Sequence, residues 1–418
     1  MSKTIEKRYL LPFCLVGTLF LLWGIANNMT DTLLAAFRRI MSMNDAQTSL
    51  IQFAFYGSYF CFALPAALFI RKYSYKSGVI LGLLLYAAGT MLFYPAAQMA
   101  SYVFYLVAIY IMAGGCSILE TTANPYILSM GSPETATRRL NIAQSFNPLG
   151  SIIGILLSQN FILAELSSAS ADERAMMSED ALAAMQSHEL GAVTGTYIVL
   201  GMVLIVIMLI MLKSKMPKGN DGSGEKLSIA QAFKTLYANK KYRWGVVAQF
   251  FYVGAQIGVW SFTIRLVMQE LNILEAEAAN IYLISIIGFC SSRFIYTWLM
   301  KYFVPVKLLQ YGATMSMICS ILVVTLDGMG WLPVIALILI SFFMSLMFPT
   351  IYGLALDSVK NEAKIGASGL IMAILGGALI TPIQGMLSDM YGINISYTVP
   401  FVCFLVVFLY ALWGSKKA

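Results

Sequence analysis

The sequence predicts an all-α membrane protein of twelve transmembrane helices in two six-helix halves, and three observations predict it. Hydrophobic residues make up 59% of the 418 residues and charged ones only 11%, where a soluble domain carries roughly a quarter charged. Mean hydropathy is +0.76. The apolar residues come in blocks of roughly 20, the length that crosses about 30 Å of hydrocarbon as a helix. A basic, Gly/Ser-rich stretch then divides those blocks into six and six. These observations exclude a soluble enzyme, a secreted disulfide scaffold and a nucleic-acid binder.

The blocks, numbered as spans 1 to 12, lie near residues 10–36, 49–70, 78–95, 103–129, 139–163 and 192–212, then 242–269, 278–300, 306–326, 331–356, 365–388 and 394–414. Lys3, Lys7 and Arg8 ahead of the first run imitate a signal peptide. The run continues past Asn27 and Asn28 to Phe37 with no small-residue cleavage site, so it is expected to stay as an uncleaved first span. Cys14, Cys61, Cys116, Cys290, Cys319 and Cys403 all fall inside apolar blocks without metal-ligand spacing. They read as small buried hydrophobes.

An even span count puts both ends on one side. Short cytoplasmic loops are enriched in lysine and arginine. With the amino terminus inside, cytoplasmic segments hold 22 of the 27 basic residues. The outer loops hold Arg38, Arg39, Arg174 and Arg265, and Arg293 lies within span 8. Both termini are therefore expected in the cytoplasm.

Two polar stretches organise the chain. Residues 164–191 carry six acids and one arginine and read as an exposed outer loop. Residues 213–241 read as a cytoplasmic linker between an amino-terminal half (1–212) and a carboxy-terminal half (242–418). Residues 227–238 have helical spacing and suit the membrane surface. The halves look faintly related: residues 116–125 of span 4 and 344–349 of span 10 each run into a proline, and Leu149-Gly150 matches Leu375-Gly376. Both pairs imply an offset near 225 residues, as two repeats about a central site would.

Twelve of the 20 acids lie in outer loops and six in cytoplasmic segments, which leaves Asp31 and Glu120 inside spans. A charge at mid-bilayer costs roughly 2.5–3.5 kcal/mol on insertion scales, so such a residue is a functional candidate. Glu120 lies eleven residues before Gly131, about 16 Å along a helix, with no basic residue in its span and Asn124 one turn on. Desolvation favours the neutral form of an acid, which suits a proton-coupling site; the alternative is a neutral acid tying helices together. Asp31 either sits at the outer membrane surface or shares a polar face with Asn27 and Asn28 against a cavity.

Span 5 carries Asn141, Gln144, Asn147 and Ser151 at helical spacing around Pro148, and span 7 carries Gln249, Tyr252, Gln256 and Trp260 on one face. Amides donate and accept, which suits a ligand made of hydroxyl groups, and rings suit its C–H faces; inter-helix hydrogen bonding is the other reading. Arg293 is expected to snorkel to the cytoplasmic surface. No phosphate loop exists, since GNDGSGEK lacks the required Gly-Lys-Ser/Thr. Neither a Cys/His cluster nor a nucleophile–base pair is visible, so neither catalysis nor a cofactor or metal is expected.

The segments LLWGIANNMTD, SYKSG, LETTANPY, RLNIAQSFN and AQFFYVGAQ together resemble the fucose/galactose/glucose:proton symporters of the major facilitator superfamily, in order and spacing from about residue 9 onward. The resemblance implies the twelve-helix major facilitator fold and proton-coupled uptake of a monosaccharide across a bacterial inner membrane. Its nearest likeness is to members that take L-fucose. It assigns Glu120 to proton coupling and Asp31 and Asn28 to the sugar, with Gln144 and Asn147 at sugar-contacting or coupling positions. Gln249, Gln256, Trp260 and Phe348 are the further expected sugar contacts. The members that take L-fucose carry a tyrosine before the proline of span 10, and here Phe348 keeps the ring without the hydroxyl. The expected partners are a monosaccharide, a proton and membrane lipid, with no nucleic acid and a monomer as the working unit. Glucose, galactose or N-acetylglucosamine are alternative sugars; a drug:proton antiporter and a non-transporting receptor are the more distant alternatives.

Overall fold

In hydrocarbon every backbone polar group must be satisfied within the segment or its neighbours, so spans in a bundle form helices. The structure, a computed structural model, describes residues 5–41, 43, 45–167, 169, 171–217 and 228–415, and among them every regular element is a helix. Among the described residues twelve segments are long and apolar enough to cross a membrane, one for each expected block. The chain is a multi-pass membrane protein. Its bundle surface is studded with exposed apolar side chains such as Val103, Val199 and Ile284, as a lipid-facing surface requires.

Proline shapes the spans that matter most. Span 5 is two helices, Ala136–Gln144 and Phe146–Phe161, parted at Ser145 ahead of Pro148. Span 10 is Trp331–Met344 and Met347–Asp357, parted ahead of Pro349. Proline has no N–H for the carbonyl four residues earlier, so the ladder opens there. Span 11 is broken by a 3-10 turn, Ala373–Leu375, before it continues as Gly376–Tyr391.

The two Leu-Gly pairs perform matching tasks. A side chain on Gly150 would overlap the Leu21 carbonyl, and one on Gly376 the Phe250 carbonyl. Each glycine lets its span press backbone to backbone on a partner, span 5 on span 1 and span 11 on span 7.

At the end that carries the basic loops, the halves close on each other. The Ala136–Gln144 helix packs on Met347–Asp357, and Ala363–Met372 of span 11 packs on spans 2 and 4. Thr137 fills the space over Gly353, the Asn141 amide donates to Thr350 Oγ1 at 3.4 Å, and Arg71 lies 3.8 Å from Glu362.

Three expectations change in detail. The stretch 164–191 is not all loop: a short helix spans Ala171–Ala175, and the span 6 helix begins at Glu179 and runs to Lys213. Ser178 caps it by accepting from the Ala181 N–H, and Glu179 and Asp180 suit its positive end. The Arg174–Glu189 ion pair, 2% and 1% exposed, anchors this extension. Within the linker, Ile229–Ala238 is a helix behind a Ser228–Gln231 capping box. It buries Ala232 and Leu236 against the bundle and leaves Ile229, Phe233 and Tyr237 exposed; residues 218–227 lie outside the described residues. Four of the six cysteines are buried, but Cys14 and Cys61 are exposed because their helix faces point away from the bundle.

Candidate functional site

A central cavity opens between the halves, enclosing about 1030 Å³ with its mouth included. Span 1 contributes Phe20, Trp23, Asn27, Asn28 and Thr30, and span 5 contributes Gln144, Asn147 and Ser151. The Gly150 contact presses these spans together, which places their amides on one wall. Asn147 Nδ2 donates to the Phe20 carbonyl at 3.3 Å, and Asn28 Nδ2 to the Gly24 carbonyl at 3.2 Å. An amide carries an acceptor oxygen beside its donor nitrogen.

Glu120 reaches the same cavity from span 4. No ion pair to it occurs among the described residues. Gln144 Nε2 donates at 2.9 Å to Oδ1 of Asn124, one turn on from Glu120. Tyr59 of span 2 and Tyr352 of span 10 stand within electrostatic reach of Glu120. Both halves therefore face this carboxyl group.

The opposite wall is aromatic and amide. Gln256 and Trp260 of span 7 line it with Phe348 of span 10. The Trp260 indole N–H donates to Ser341 Oγ at 3.3 Å, and its ring stands edge-on to Phe289 at 5.0 Å. Phe348 stacks on Tyr352, with ring centroids 6.2 Å apart. No group of metal-ligating side chains occurs among the described residues. A cavity lined by amides, rings and one carboxyl group can hold a small polyhydroxylated solute and a proton.

A Major Facilitator Superfamily model matches residues 13–382. The chain belongs to that superfamily. It is 44% identical to the L-fucose-proton symporter of Haemophilus influenzae over 99% of both chains. It is 32% identical to the glucose/galactose transporter of Brucella abortus, over 99% of this chain and 96% of that one. The crystal structure of FucP, the superfamily's E. coli fucose:proton symporter, in the outward conformation matches with a TM-score of 0.89 at 36% identity. That match covers 97% of this chain and 99% of FucP.

In this superfamily member the structure gathers Asn28, Glu120, Gln144, Asn147, Gln256, Trp260 and Phe348 around one cavity. Asp31 is in the span 1 helix one turn beyond Asn27 and Asn28; its side chain lies outside the described residues. Two residues of the span 7 face lie away from the cavity wall. Gln249 is fully buried and does not line the cavity. It shares the angular face of Gln256 but sits seven residues lower, about 10 Å along the helix, beneath the floor where the halves are closed. Tyr252 is likewise below the cavity, its hydroxyl donating to the Met344 carbonyl at 3.1 Å.

Arg293 does not snorkel. It is 3% exposed, lines the cavity, and donates to the Ser345 carbonyl at 2.8 Å and the Gln144 carbonyl at 2.9 Å. Carbonyl acceptors inside the bundle, and the Phe289 ring 4.7 Å beneath the guanidinium, hold it there. The sequence reading also missed Gln52, Phe55, Tyr56 and Tyr59 of span 2. Their spacing marks one helix face, but an aromatic face on a span reads equally as packing or lipid contact.

Proposed function

We propose that this chain is a proton-coupled symporter of a monosaccharide, L-fucose foremost, working by alternating access. The observation that carries the reading is the cavity itself. Glu120, without an ion-pair partner among the described residues, shares it with the Asn28, Gln144 and Asn147 amides and the Trp260 and Phe348 rings. The full-length likeness to an L-fucose-proton symporter supports the choice of sugar and of a proton as the coupling ion.

In the state described, the halves are sealed at the basic-loop end. A proton binds Glu120 and the sugar enters from the other side, with Asp31, Asn28, Gln144 and Asn147 exchanging hydrogen bonds with its hydroxyls. Gln256, Trp260 and Phe348 form the facing wall. An ionised Glu120 would have to be dehydrated during closure at a cost of several kcal/mol, so only the neutral, loaded form rocks across. Release of sugar and proton on the other side completes the cycle.

The moving bodies are the halves 1–212 and 242–418, joined by the linker 213–241. The setting is a bacterial inner membrane with both termini cytoplasmic, on the strength of the lysine and arginine placement, and the working unit is the monomer. A glucose or galactose substrate is the second reading, favoured by the Brucella abortus relative.

The test is sugar-driven proton movement in proteoliposomes across a panel of monosaccharides. L-fucose should alkalinise a weakly buffered medium as it enters. Flux with another sugar alone would move the assignment to it. No flux with any of them would remove the transport reading.

A further inference from the structure

The guanidinium of Arg293 is a buried cation that the transport cycle above does not use. Among the described residues no carboxylate forms an ion pair with it. It is held instead by two backbone carbonyls, and their identity is informative. Pro148 has no N–H to give to the residue four before it, which is Gln144, and Pro349 has none for Ser345. These are the two carbonyls that Arg293 holds, Gln144 through Nη1 and Ser345 through Nε.

We infer that Arg293 is a pin that locks the two halves together beneath the cavity by bridging one proline-orphaned carbonyl in each. Span 8 supplies the arginine, span 10 of the same half gives Ser345, and span 5 of the other half gives Gln144. A planar guanidinium donates in two directions at fixed angles, which an ammonium cannot match. Unpaired carbonyls in a dry bundle are costly, so each proline makes its carbonyl a strong acceptor for this cation. When the halves part at the basic-loop end, Gln144 leaves with its half and the bridge breaks.

The same Gln144 carries the pin on its carbonyl and Asn124, a turn from Glu120, on its side chain. Arg293 is therefore a positioning residue that reads the state of the Glu120 wall and holds the gate. This deepens the transport reading and rests on it only for the claim that the pin opens in every cycle.

The test measures the distance between spin labels on the full-length protein in nanodiscs, with Y73C and K360C as labelling sites in a background carrying C14S and C61S. Tyr73 and Lys360 are exposed at the basic-loop end, one in each half. The unaltered pin should give a short distance, and R293M should shift the closed-to-open ratio about tenfold or more toward open, as loss of charged hydrogen bonds implies. R293K should fall between them. P148A leaves the arginine intact but returns a backbone N–H to Gln144, so it should loosen the same closure and covers the case in which R293M does not fold. Unchanged distances in P148A and in any folded R293M would overturn the pin. The readout needs no sugar, so failure of the transport reading would show separately, as absent flux with the distance shifts intact.

Discussion

The Gln144 side-chain amide donates to Asn124 Oδ1 across 2.9 Å, joining span 5 at its break to span 4 just before Pro125. Asn124 is fully buried and Gln144 is 5% exposed, so neither group has water as a substitute. Gln144→Leu should therefore leave the Asn124 amide short of a partner and cost about 1–3 kcal/mol. Thermal unfolding of the purified protein would show the loss, and sugar binding should weaken with it. A variant as stable as the parent would mean that Asn124 finds another partner at no cost.

Glu120→Gln mimics the neutral acid permanently. The loaded form should still cross, so sugar counterflow between two pools should continue. Uphill accumulation driven by a pH gradient should vanish, because no proton is taken or released. Paired counterflow and gradient-driven uptake assays decide it; a variant that still concentrates sugar would place coupling elsewhere. Asp31→Ala should lose sugar binding altogether in the same preparations.

Trp260 is fixed by its N–H bond to Ser341 and its edge contact with Phe289, so its ring meets the ligand without reorganising. Aromatic contacts contribute roughly 0.5–1.5 kcal/mol beyond area burial. Trp260→Ala should weaken sugar binding about tenfold or more in equilibrium binding with radiolabelled L-fucose, and Trp260→Phe should recover part of it. Gln249→Ala is the control that follows from its place below the floor: binding should change little.

How much was legible in the sequence depended on whether a signal needed only one helix. Block length gave all twelve spans, and a census of acids singled out Glu120, because a carboxyl group in hydrocarbon is anomalous wherever its neighbours lie. The Asn147 and Gln256 faces were likewise visible from helical spacing. Depth was not. Gln249 repeats the angular position of Gln256 but lies two turns nearer the sealed end, and periodicity is blind to that displacement. Arg293 was misread for a related reason: six residues from the end of its helix at Leu299, it could snorkel by length alone. Its real partners are carbonyls on two other spans, freed by prolines that were in plain view but not paired with it. The helical extension from Glu179 escaped because hydropathy windows register apolar length rather than capping residues.

The outer extension yields its own prediction. Arg174 Nη1 lies 2.9 Å from Glu189 Oε2, and Glu189 Oε1 also accepts the Ser167 backbone N–H. Removing one partner of a buried pair typically costs about 3–5 kcal/mol, whereas replacing both by apolar groups can be nearly neutral. Arg174→Met should lower the unfolding temperature clearly, and Arg174→Met with Glu189→Met should regain much of it. Transport per folded molecule should stay the same in both.

The last prediction concerns the two glycine crossings, because any rocking of the halves requires that each behave as a rigid body. At Gly150 and Gly376 the obstruction to a side chain is a backbone carbonyl, Leu21 or Phe250, and a carbonyl in a helix cannot swing aside as a side chain can. Even one methyl group must push span 5 off span 1, or span 11 off span 7. Overpacking of this kind costs roughly 1–3 kcal/mol and sometimes more. At Gly57, by contrast, an added Cβ meets nothing within 4 Å. Gly150→Ala and Gly376→Ala should each lower thermal stability in detergent, while Gly57→Ala should leave it unchanged or slightly raise it through better helix propensity. Gly150→Ala also bears on the site, since displacing span 5 carries Gln144 and Asn147 away from Asn28. Its sugar affinity should fall even at temperatures where the protein is fully folded, whereas Gly57→Ala should bind as the parent does. Equal behaviour of all three variants would mean that close helix crossing is not what aligns the amide wall.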